Sequence, residues 1–202
     1  MAVKWAVANG AWSAGTTWND GVVPAIGDDV YLNGHNITYD SNINLGNGWL
    51  RNDANSDYGI VSGGSVQSLS IDRSVSLICN CYADASNLIY IVFYRAGYKG
   101  NVRIFGDCVC PVSGFGLIHS SNNTASHVGV IVNGNIDASR GGSLIYNSFR
   151  NTFTINGNVV LGNGYLWTAI NNYICDTGYL NNTINGKVTC IDGASGGILN
   201  TY

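Results

Sequence analysis

Val128-Gly-Val-Ile-Val-Asn-Gly-Asn-Ile-Asp137 is followed by Asn151-Thr-Phe-Thr-Ile-Asn-Gly-Asn-Val-Val160. Each stretch alternates apolar and polar residues on both sides of an Asn-Gly pair, as two short half-buried strands joined at a tight turn would. The same arrangement stands in Asn101-Val-Arg-Ile-Phe-Gly-Asp-Cys-Val-Cys110 and in Asn181-Asn-Thr-Ile-Asn-Gly-Lys-Val-Thr-Cys190. The four glycines, Gly106, Gly134, Gly157 and Gly186, recur at successive spacings of 28, 23 and 29 along the chain. Two weaker copies lie upstream, at Val30–Tyr39 and at Val66–Leu77, where Asp72-Arg73 replaces the glycine. A second apolar block follows each copy: Gly48-Trp-Leu, Asn87-Leu-Ile-Tyr-Ile-Val, Gly116-Leu-Ile-His, Gly142-Ser-Leu-Ile-Tyr, Gly164-Tyr-Leu-Trp and Gly197-Ile-Leu. Six copies of strand, turn, strand and polar corner predict six coils.

One such coil cannot bury its inward row, because an isolated strand has nothing to pack on. Stacking coil on coil pairs the backbone groups and joins the rows into one core. The expected fold is therefore all-β, a single-stranded parallel β-helix of about six coils. Asparagines at matching corners can form side-chain ladders along the stack. Asn-Gly is also the common hairpin turn, so an antiparallel sandwich competes. It would show turn signals every 8–12 residues, whereas the Asn-Gly of the copies at 134, 157 and 186 returns at 23 and 29.

Composition points the same way. The chain has 202 residues, enough for one domain, and charged residues make up only 10%, against about 25% in ordinary domains. All twelve acidic residues are Asp, and there are as many Asn as Gly, 27. Good helix formers are scarce while turn and strand residues abound, so no region reads as helical. The nine Lys and Arg are scattered at a net charge of −3. That excludes a nucleic-acid surface, which needs clustered cations. No apolar run is long enough for a helix to span a bilayer, and the chain's opening stretch does not read as a signal peptide.

Cys79 and Cys81 form a C-x-C, as do Cys108 and Cys110, at a constant offset of 29. If one coil takes that same length, Cys79 stacks on Cys108 and Cys81 on Cys110. Buried thiols acting as small hydrophobes, cross-coil disulfides and a zinc site all remain open, although C-x-C is not the usual zinc spacing. Residues 1–29 differ from the rest, with Trp5, Trp12 and Trp18 among small residues. A solenoid must cover its first open edge, so these residues are expected to cap or dock a β-helix domain at 30–202. Exposed Trp would anchor a partner. The last residues break off inside the sixth copy, which suggests a partner subunit or a further domain there.

The segment Trp12-Ser-Ala-Gly-Thr-Thr-Trp-Asn-Asp-Gly-Val-Val-Pro-Ala-Ile-Gly-Asp-Asp-Val-Tyr-Leu-Asn-Gly-His-Asn-Ile-Thr-Tyr-Asp40 resembles the lead-in of right-handed β-helix proteins of the pectin-lyase-like class. Its flavour is similar to that of virion proteins of tailed phages of the crAss-like group and of related bacterial surface proteins. The likeness is confined to this segment; the later coils match only as generic repeats. It implies a right-handed coil and a fibre or appendage subunit that trimerises or sits on the particle with other virion proteins, where host glycans are a candidate contact. It carries no catalytic residue.

The residues themselves offer little chemistry. Polygalacturonase-like relatives of that class use clustered Asp with Gly-His-Gly and Arg-Ile-Lys strings. Here stand Asp28-Asp29, Gly34-His35-Asn36 and Arg103-Ile104-Phe105. No two carboxylates recur at a coil spacing that would bring them within the roughly 5–9.5 Å used in glycoside hydrolysis, and Asp28-Asp29 reads as a turn cap. His35, His119 and His127 lack ligand spacing, so neither a metal nor a cofactor is expected. In Leu88-Ile-Tyr-Ile-Val-Phe-Tyr-Arg-Ala-Gly-Tyr98, alternation places Tyr90 and Tyr94 outward beside Arg95 and Tyr98. That strip suits a sugar, a subunit contact or an ordinary buried flank. The expected function is a non-enzymatic virion fibre or decoration subunit. A carbohydrate-binding adhesin of a bacterial cell surface is the alternative, and a polysaccharide lyase or hydrolase stands behind it.

Overall fold

The computed structural model describes residues 2–52, 60–62, 75–83, 88–91, 99–109, 116–120, 127–139, 143–148, 151–161, 170–173, 182–191 and 200–201. Short strands stack in parallel as a β-solenoid, and the sole helical element among the described residues is a 3-10 turn at Gly15–Thr17. Every strand pair among the described residues is parallel, and the antiparallel contact described is an isolated bridge between Ala6 and Trp18. The hairpin sandwich is thereby excluded.

Three strand columns make the walls. The first is Ile43–Asn44, Val75–Leu77, Lys99–Ile104, His127–Val132, Asn151–Ile155 and Asn182–Ile184. The second holds Val3–Trp5, Asp29–Tyr31, the 49–52 half of one long strand, the 80–83 half of another, and then Cys108–Val109, Ile136–Ala138, Val159–Leu161 and Val188–Cys190. Those two long strands, Ile43–Asn52 and Val75–Ala83, run through the corner and merge both columns into one twelve-stranded sheet. The third is an eight-stranded sheet from Gly10–Ala11 through Ile37–Thr38, Ile60–Ser62, Ile89–Ile91, Gly116–Ser120, Ser143–Ser148 and Ile170–Tyr173 to Asn200–Thr201.

The core is a set of inward ladders. Ile43, Leu77, Ile104, Val132 and Ile155 succeed one another at matched positions, as do Val30, Leu50, Cys81, Cys108, Ile136 and Val159. All are at most 2% exposed. Burying each such side chain contributes about 1.5–3 kcal/mol relative to leaving it in water.

The corner between the first two columns shows why Asn-Gly repeats. A methyl group on Gly134 would overlap the Gly106 carbonyl oxygen, one on Gly157 that of Gly134, and one on Gly186 that of Gly157. Only glycine lets successive turns approach this closely. On one side of the glycines, Asn185 Nδ2 donates to Asn156 Oδ1 (2.8 Å) and Asn156 Nδ2 to Asn133 Oδ1 (2.7 Å). On the other, the side-chain oxygen at each level accepts the backbone N–H of the next: Asn80 from Asp107, Asp107 from Asn135, Asn135 from Asn158, and Asn158 from Lys187. The last three steps span 28, 23 and 29 residues, the spacings of the glycines.

Upstream the structure departs from the repeat read in the sequence. Val30–Tyr39 is not one copy: Asp29–Tyr31 joins the second column and Ile37–Thr38 the third. Gly48-Trp-Leu, expected to stack with Asn87–Val92, instead lies in the second column against residues 80 and 81. Alternation marks a strand but not the wall it belongs to, and these levels lack the Asn-Gly corner. The eight-stranded sheet also holds two more strands than the six repeats counted, because pieces as short as Gly10–Ala11 carry no pattern of their own.

The cysteine register is corrected as well. The turn from Cys81 to Cys108 is shorter by two than the offset between the C-x-C strings, so these two cysteines pair in register. The Cys79 carbonyl lies over Gly106. Cys79, Cys81 and Cys108 are free, buried thiols, while Cys110 lies outside the described residues.

Segment 1–29 supplies the outermost strand of both sheets, Val3–Trp5 and Gly10–Ala11. The chain then folds back over that edge: Val7 N–H donates to Thr17 O, Asn19 N–H to Trp5 O, and Trp5 N–H to Asn19 Oδ1. Trp12 and Trp18 are each 2% exposed. Their rings meet edge to face at 4.8 Å, and Trp18 Nε1 donates to Trp12 O.

Candidate functional site

Outward positions of the second column form their own ladder. Because Val30, Leu50 and Cys81 point in, their neighbours Tyr31, Arg51 and Tyr82 point out, and the register places Trp5 beside Tyr31, Tyr31 beside Arg51, and Arg51 beside Tyr82. Trp49 joins them, on the same face of its strand as Arg51 and diagonal to Tyr82. The rings of Trp49 and Tyr82 lie 6.2 Å apart, edge to face. Further along, the ladder continues through Val109, Asp137, Val160 and Thr189. Aromatic rings and a cation thus cluster near the N-terminal end of the column.

The Arg51 guanidinium carbon stands 5.6 Å from the centre of the Tyr31 ring, 5.4 Å from Trp49 and 5.2 Å from Tyr82. Each contact lies within the range where a ring quadrupole attracts a cation. The rings flank the planar group, and its Nε is buried with no hydrogen-bond partner. Among the described residues no carboxylate pairs with Arg51, and the one ion pair found is Lys4 with Asp20. Nearby, Asp29 is occupied, accepting the Trp49 N–H at 2.9 Å. Trp5 is 43% exposed, the open end of the aromatic run.

The other titratable groups serve the scaffold. Lys4 is 6% exposed and meets Asp20 Oδ2 at 2.5 Å and Val22 O at 3.4 Å. The Lys4 ammonium, then the Val22 N–H, hold the Asp20 carboxyl below its ordinary value. Asp28 accepts the N–H groups of Ala2 and Ala25, the turn role expected of it, and Asp40 binds the N–H and hydroxyl of Ser13. Asp137 accepts the N–H of Ser139. Hydrogen bonding with the Cys108 and Cys79 thiols, together with burial, pushes the Cys81 thiol well above its usual range, so it stays protonated and inert. Among the described residues no group of three His, Cys, Asp or Glu is arranged to hold a metal.

The sites expected from the sequence are redistributed. Of the three tryptophans, Trp12 and Trp18 are sealed inside and cannot anchor a partner, whereas Trp5 is available. Tyr90 lies in the third column, in register with Val61 before it and His119 after it. Tyr94, Arg95 and Tyr98 lie outside the described residues. The cluster of Tyr31, Trp49, Arg51 and Tyr82 escaped sequence reading. The available signal was their shared parity with respect to Val30, Leu50 and Cys81, which shows only once the levels are aligned. No protein-family model matches this chain, nor does any curated protein or solved structure.

Proposed function

We propose that this chain is a non-enzymatic structural subunit, a rigid shaft in a virion fibre or particle decoration, and that it works as a homo-oligomer, with three copies the expected number. The observation that carries the reading is the use of its carboxylates. All six described aspartates, at 20, 28, 29, 40, 107 and 137, are engaged by a backbone N–H or by Lys4. Carboxylates held this way stiffen turns and corners, whereas glycoside hydrolysis needs two of them facing a substrate. The amide and glycine corner supports the same role, since it ties neighbouring turns together and offers no nucleophile. The resemblance of the Trp12–Asp40 segment to phage virion proteins supplies the particle.

Light scattering on the full chain after size exclusion tests the reading, with a stable trimer expected. A monomer throughout the micromolar range would overturn it, as would release of reducing or unsaturated ends from acidic or neutral polysaccharides. The outward-facing aromatic column, with Trp5 exposed at its end, favours a second reading, a glycan-contacting adhesin of a bacterial surface. A monomer that binds whole bacteria, and loses them on Trp5→Ala, would select it.

A further inference from the structure

We infer that Trp5, Tyr31, Trp49, Arg51 and Tyr82 form a binding site for an acidic glycan, with Arg51 pairing to a sugar carboxylate and Trp5 stacking on a neighbouring sugar ring. The inference does not rest on the assembly reading, because binding is read on a single chain.

Three observations carry it. First, Arg51 is a cation with no counter-ion among the described residues: its side chain makes no hydrogen bond or ion pair with any of them. Its Nε is buried without a partner, and the residue as a whole is half-buried. A guanidinium presents two parallel N–H donors that match a carboxylate. Second, three rings at 5.2–5.6 Å hold that fork in place before any ligand arrives, which lowers the ordering cost of binding. Third, Trp5 lies two levels from Arg51 along one straight column. Two strand spacings are about 10 Å, so a ligand touching both spans more than one sugar ring. Nucleic acid would need several cations here, and the ladder offers a single one before reaching Asp137.

The test uses the full chain on immobilised matched pairs: sialyllactose against lactose, and a hyaluronan oligosaccharide against its carboxyl-reduced form. Retention of the acidic members at least about tenfold above their neutral counterparts is expected from a charge-assisted bidentate pair, weakening as salt rises. Arg51→Gln should abolish that discrimination, and Arg51→Lys should recover part of it. Trp5→Ala should weaken acidic binding severalfold without moving the melting temperature, so the site remains testable even if the Arg51 variants fold poorly. A wild-type chain that binds none of these glycans, or binds neutral and acidic members alike, overturns the inference. So does equal retention of polyglutamate, which would assign the site to a protein carboxylate.

Discussion

The two ends of the column solve the same stacking problem differently. From Gly106 onward the corner repeats one device, a glycine pressed against the carbonyl of the turn before it and flanked by amide ladders. Toward the N-terminus the corner opens out. The register between Ile43–Asn52 and Val75–Ala83 shifts between Asn44 and Trp49, and Gly46 takes a φ of 60°. At the regular end the described corner amides bond to one another from turn to turn. The irregular end carries rings and a charge on its outer face. Regularity provides stiffness, and the proposed binding site lies where the repeat lapses.

That contrast can be broken most forcefully at Gly134. Gly134→Ala forces the Gly106 carbonyl to move inside the stack, and a loss of about 4 kcal/mol or more is expected in urea unfolding. Gly21→Ala is the counterpart. Gly21 has a φ of 74° but nothing within 4 Å of a new methyl, so only the left-handed backbone penalty of about 1–2 kcal/mol should appear. Equal effects would mean that close approach does not set the corner.

Asn156→Ala removes both side-chain bonds at the middle of its ladder. Because the ladder is solvent-exposed, about 1 kcal/mol of chemical stability should be lost. Arg51→Gln should cost less, about 0.5–1 kcal/mol for cation–π contacts near the surface. A larger loss would make the aromatic box a structural element and weaken its separation from the stiff corner.

The smallest effect belongs to Asp20. Its folded carboxyl lies below the usual 3.8, so its stabilisation is complete above that value and fades as pH falls through the lower folded one. The difference in melting temperature between wild type and Asp20→Asn should therefore be constant near neutrality and vanish in strong acid. A difference that grows on acidification would reverse the sign.

Much of the fold was legible because its lower half is self-similar. The Asn-Gly copies at 134, 157 and 186, with the Phe-Gly at 106, sit at the spacings the strands adopt. Parallel stacking follows from the need to bury inward rows too short to pack alone. Cys79 and Cys81 were legible as buried residues but not in register. The two C-x-C strings keep a constant offset, yet the turn between them is shorter than that offset, and Cys81 meets Cys108 instead of Cys110. A slip of two positions keeps every side chain on its own face, so alternation alone cannot detect it.

Sequence alone pointed to a stacked parallel column with asparagine at its corners, since inward rows too short to pack alone recur once per turn. The strand pairing excluded the hairpin sandwich. Only the tertiary structure decided which outward residues meet. Trp5, Tyr31, Arg51 and Tyr82 are separated by unequal lengths of chain, and loops that differ from turn to turn bring them to one ladder. Their contact depends on how much chain each turn consumes, a quantity set by packing across the whole coil rather than by any local pattern.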